Sequence, residues 1–81
     1  MTTSLEARAR YLHDLTRLLV ERARKARADR DAAPPSDRNV ANAALFAFHE
    51  VVSLMQQQAV AFGIPLEELG LDGIDPERDL L

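Results

Sequence analysis

The chain has 81 residues and a formal net charge of −3, with 47% of its residues apolar, 5% aromatic and no cysteine. That length supports one domain with a small core. The lack of cysteine excludes disulfide scaffolds, thiolate metal sites and cysteine nucleophiles, and no apolar run approaches the length of a membrane span.

Charge divides the chain unevenly. Residues 1–38 hold nine Arg or Lys against six Asp or Glu, and residues 39–81 hold one Arg against seven acids. The break between helices falls at Ala32-Ala33-Pro34-Pro35-Ser36, where tandem prolines stop a helix and extend the residues before them.

Before the break, Thr3 and Glu6 have capping-box spacing. The spacing predicts a first helix over about 4–30, with Leu5, Leu12, Leu15, Leu19 and Ala26 on its packing face. Arg10, Asp14, Arg17, Glu21 and Lys25 fall on the other side and alternate in sign at i,i+3 and i,i+4 spacing. A proline loop follows over 31–36. Ser36 or Asp37 is then positioned to cap a second helix over about 37–62. Its main stripe is Val40, Ala44, Leu45, Phe48, Val51, Val52, Met55, Ala59 and Phe62. Gly63 suits a left-handed stop and Pro65 prevents the helix from resuming.

The tail, 63–81, is rich in large apolar residues, with a short helix expected over about 65–69 and a last capped turn at Asp75-Pro76-Glu77. Ile64, Leu66, Leu69, Leu71, Ile74, Leu80 and Leu81 are too many for free solvation, so the tail is expected to fold back on the helices. The fold class read from this order is all-α: an antiparallel two-helix hairpin with a C-terminal helical turn against it, open to dimerisation into a four-helix bundle.

The second helix carries more apolar surface than one partner helix can shield, because Ala43, Ala47, Leu54 and Ala61 widen its stripe while Phe46 and Val60 lie further round. Two coverings are open: the C-terminal leucines, or a second copy of the chain. Phe46, Leu54 and Val60 are the candidate contacts with a protein partner, since aromatic and large apolar anchors carry binding energy.

No catalytic constellation is legible. His13 and His49 have no His, Asp or Glu at i+3 or i+4, and Asp14 and Glu50 beside them point about 100° away on a helix. Asp72, Asp75, Glu77 and Asp79 lack the ligand spacing of a calcium loop and read as turn and cap residues. The three glycines stand at stops and turns rather than in a phosphate loop. The sequence therefore calls for no metal, no cofactor and no enzyme. Arg22, Arg24, Lys25, Arg27 and Arg30 form a basic run that suits phosphate or an anionic surface. Glu21, Asp29 and Asp31 offset it, and no aromatic stands there to stack on bases.

The stretch Glu50 to Gly63, Glu-Val-Val-Ser-Leu-Met-Gln-Gln-Gln-Ala-Val-Ala-Phe-Gly, with the following Ile-Pro-Leu-Glu-Glu-Leu-Gly-Leu-Asp-Gly, resembles short uncharacterised proteins of high-GC bacteria. The resemblance implies a small helical protein and brings no functional residue with it. The functional expectation is a non-enzymatic helical module that contacts a protein partner or itself, with nucleic-acid or anionic-surface binding as the alternative. Met1 to Arg10 contain no apolar leader stretch, so a cytoplasmic location is expected.

Overall fold

The computed structural model describes residues 3–81; Met1 and Thr2, at the start of the segment read for a leader, lie outside the described residues. The described chain is all-α. Two long helices, α1 (Ser4–Ala32) and α2 (Arg38–Ala61), are followed by a 3₁₀ turn (Leu66–Leu69) and a short helix α3 (Pro76–Asp79).

Local chemistry sets the ends of these elements. At the start of α1, the Glu6 N–H donates to Thr3 Oγ1 at 3.0 Å and the Thr3 N–H donates to Glu6 Oε2 at 3.4 Å, a reciprocal cap. Along its wet side, Arg17 bridges Asp14 and Glu21, both at 2.9 Å, and Lys25 pairs with Asp29 at 2.9 Å. Such exposed i,i+3 and i,i+4 pairs support the helix only weakly, because solvent screens them.

The start of α2 departs from expectation. Asp37 stands at the N-cap, but neither it nor Ser36 makes a side-chain capping bond. A 3₁₀ turn over Pro35–Asp37 runs straight into the helix, and its own carbonyls take the first donors: Asp37 N–H to Pro34 and Arg38 N–H to Pro35. The other end of α2 closes on Gly63, whose φ of 69° is left-handed. Ile64 N–H donates back to Ala59 at 2.8 Å and Gly63 N–H to Val60 at 3.0 Å, the paired bonds of a Schellman stop. Gly70 repeats the device after the 3₁₀ turn, with φ 70° and Leu71 N–H donating to Leu66.

The core is built from three parties. Ala23 of α1, Leu45 and Val52 of α2, and Leu71, Ile74 and Leu80 of the tail form one buried cluster. Half of it is thus supplied by the tail, which hydrophobic burial rather than connectivity holds in place.

That third party changes how the helices face one another. On α1 the buried residues are Thr16 and Ala23, while Leu5, Leu12 and Leu15 of the expected packing face are exposed. On α2 the buried residues are Leu45, His49, Val52 and Ala59, while Val40, Ala44, Val51 and Phe62 are exposed. At 100° per residue, each helix is turned roughly 60° from the face its apolar pattern suggests. The turns bring Thr16 and Ala23 of α1 and Leu45, His49 and Val52 of α2 inward, and both leave other leucine, valine and phenylalanine side chains exposed.

Thr16 is the residue this rotation serves least. It is fully buried, and its hydroxyl has no hydrogen-bond partner among the described residues. An unsatisfied buried hydroxyl costs on the order of 1–3 kcal/mol. Thr16→Val keeps the shape and removes that group, so thermal melting should show stabilisation by about 1 kcal/mol. A lower melting temperature would show that the hydroxyl is bonded in solution.

Candidate interaction surface

The tail occupies one side of the helix pair, fastened there by polar side chains from both long helices. Gln56 Nε2 donates to two tail carbonyls, Leu71 at 3.1 Å and Ile74 at 2.8 Å. From α1, Arg24 donates to the Gly73 carbonyl at 2.9 Å and Arg27 to the carbonyls of Arg78 and Asp79 at 3.2 and 3.0 Å. Arg30 reaches the backbone oxygen of Leu81 at 3.0 Å, the Asn42 side chain at 3.3 Å and Asp31 at 2.9 Å. The carbonyl array of the tail therefore meets the basic end of α1.

This placement reassigns most of the basic run. Of the five candidate anion contacts, Arg24, Arg27 and Arg30 hold the tail and Lys25 pairs with Asp29, while Arg22 makes no hydrogen bond or ion pair among the described residues. The cations are not aligned as a free row. Sequence reasoning missed this role because their acceptors are backbone carbonyls some 50 residues away, which no spacing rule reveals.

His49 sits in the same seam. It is buried on α2, with Nε2 3.3 Å from Glu77 Oε1 of α3 and Nδ1 3.5 Å from Glu50 Oε1. The Nδ1 approach lacks hydrogen-bond geometry, so that nitrogen has no hydrogen-bond partner among the described residues. Phe46 stacks on its ring at 5.9 Å between centroids. Glu77, beyond the reach of any helical spacing, is the acid that sequence alone could not assign to this histidine.

The acidic residues of the tail act as caps and internal partners. Asp75 accepts from the N–H groups of Glu77 and Arg78 at the start of α3. Hydrogen bonds from the Arg78 guanidinium and the Asp75 N–H hold the Asp79 carboxyl well below the usual carboxylate range. No group of three or more His, Asp or Glu able to hold a metal is present among the described residues. None of the described helices is long and apolar enough to cross a membrane.

Phe46, Leu54 and Val60 are exposed by 55%, 60% and 71%, but they do not share one patch. Phe46 stands at the tail edge beside Arg30, Asn42 and Leu80. Val60 is fourteen residues further along α2, about 21 Å at 1.5 Å per residue. Leu54 lies between them along α2, in a hollow it shares with Val51, Glu50 and Glu77 of α3.

The broader apolar surface, which Leu54 joins beside Val51, is on the side of the helix pair that the tail leaves open. Leu12, Leu15 and Leu18 of α1 are exposed there with Val40, Val51 and Phe62 of α2, the first and last of these by 75%. A groove lined by Arg22, Ala26, Val40, Ala44 and Phe48 runs along one end. At the other end, Leu12, Met55 and Phe62 wall a hollow of about 210 Å³ that reaches down to the tail residues Leu69 and Leu71. Most of these residues belong to the stripes expected to form the core, and the rotation of the helices turned them outward.

Comparison with protein-family models, with characterised proteins and with solved structures finds no match to this chain. The all-α architecture and its open apolar side therefore carry the functional argument.

Proposed function

We propose that the chain is a non-enzymatic protein–protein interaction module, an antiparallel helical hairpin that binds through the side its own tail leaves uncovered. One observation carries this reading: leucine, valine and phenylalanine side chains from both long helices share that side and stay exposed. Contiguous apolar surface of this kind, rimmed by polar residues, marks sites of association rather than ordinary scatter. The opposite, tail-covered side shows how the same helices behave when an apolar partner is at hand.

Anion binding is the weaker reading, because Arg24, Arg27 and Arg30 are oriented toward tail carbonyls and Lys25 toward Asp29, so they form no aligned outward row. Site-specific photocrosslinkers at Leu15 and Val51, introduced one at a time in cells producing the protein, test the proposal. Both positions should give a discrete protein adduct, and a crosslinker at Glu21 on the wet face should give none. No adduct from Leu15 or Val51, or equal labelling from Glu21, overturns it.

A further inference from the structure

We infer that the partner on the open side is a second copy of this chain, the two copies forming a four-helix assembly with α2 against its counterpart or against α1 of the other copy. The inference rests on the interaction reading above and names its occupant.

Area is the first argument. The accessible surface is 5780 Å² for a 9.0 kDa chain. A folded monomer of that mass exposes roughly 4,900 Å². The excess, about 900 Å², is close to the roughly 800 Å² that each partner contributes to a standard interface. Shape agrees with area. The molecule measures 51 × 26 × 16 Å and has a radius of gyration of 14.7 Å, against about 12 Å for a compact domain of this length. It is a slab, only 16 Å through along its shortest axis.

Periodicity is the second argument. Val40, Ala44, Ala47, Val51, Leu54, Gln58 and Ala61 follow one another by steps of four, three, four, three, four and three residues, and every one is exposed. That is the heptad spacing of a seam meant for another helix packed at a shallow angle, not for a loop or an extended peptide. The alanines allow close approach.

Charge is the third. A surface that meets its own copy brings like charges together near the symmetry axis, and this seam contains none. Charged side chains stand at its rim instead, with Lys25, Asp29 and Asp37 beside Val40 and with Glu50 and Glu77 beside Val51 and Leu54.

Sedimentation equilibrium of the full chain, from micromolar to hundreds of micromolar, is the deciding measurement. The two-chain mass is expected, with Val51→Glu raising the dissociation constant about tenfold or more by placing a charge in the seam and Phe46→Ala, at the tail edge, leaving it unchanged. Should Val51→Glu fail to fold, spin labels on Val51→Cys and, separately, Arg17→Cys report the geometry in this otherwise cysteine-free chain. A shorter distance between copies from position 51 than from position 17 supports the assembly, and a longer one overturns it. A single-chain mass at every concentration also overturns it. In that event cellular adducts from Leu15 and Val51 to a different protein would still uphold the interaction surface, so the two readings fail separately.

Discussion

Leu71→Ala should lower stability by about 2–5 kcal/mol, as deletions of fully buried leucine side chains do. Leu71 has no accessible surface and lies in the cluster that joins α1, α2 and the tail. Its neighbours cannot close the void by sliding, because Gln56 holds the Leu71 carbonyl and Gly70 fixes the turn before it. A chain of this length has a total stability of only about 4–12 kcal/mol. The variant should therefore melt far earlier in urea than the parent, followed by the helical circular dichroism signal. Leu5→Ala deletes the same atoms from a residue 76% exposed on α1, so it should shift the curve by under about 0.5 kcal/mol. Equal shifts from the two variants would mean that the tail does not contribute to the cooperative core.

The contrast between those two leucines also shows where the sequence can and cannot be read. All-α architecture follows from patterns contained within short stretches: the Thr3 and Glu6 pair, the glycine at 63, the proline after it. Each acts through bonds to residues a turn away, so local spacing reveals it. Helix orientation is a different kind of property. An apolar arc on a wheel reports which residues avoid water but not which of several partners will cover them. On α2 the arc is wide enough to serve α1, the tail and an outside surface at once, and the tail takes the share containing Leu45 and Val52.

Beyond the burial of Leu71, Ile74 and Leu80, what fastens the tail on that side is polar. Gln56, Arg24, Arg27 and Arg30 all donate to backbone carbonyls, and a carbonyl is present at every residue of every sequence. No residue type marks an acceptor of that kind in advance. The basic run therefore looks like a surface for an outside anion until the tail is in position, and Gln56 looks like one of three equivalent glutamines. The histidine has the same history, since Glu77 approaches it through the fold and not along the chain.

Gln56 gives the sharpest test of this tail-fastening role. Its amide donates both of its hydrogens to carbonyls, and it bridges the two ends of the Leu71–Ile74 turn, whose side chains at both ends are buried. Gln56→Leu retains a similar volume and leaves two partly buried carbonyls without their donor. At about 1–3 kcal/mol for each abandoned acceptor, discounted for partial exposure, the loss should be about 2–3 kcal/mol. Its neighbour Gln57 is exposed, and Gln57→Leu should change stability little. The two variants differ further in where protection is lost. Amide hydrogen exchange should accelerate across residues 71–80 in Gln56→Leu while the middle of α1 and α2 stays slow, because the tail is released before the long helices separate. If exchange rises uniformly along the chain instead, the tail and the helices unfold as one unit and Gln56 is a core residue like any other. If neither stability nor exchange changes, hydrophobic burial of Leu71, Ile74 and Leu80 alone is enough to place the tail, and the rotation of the helices must be attributed to those three side chains.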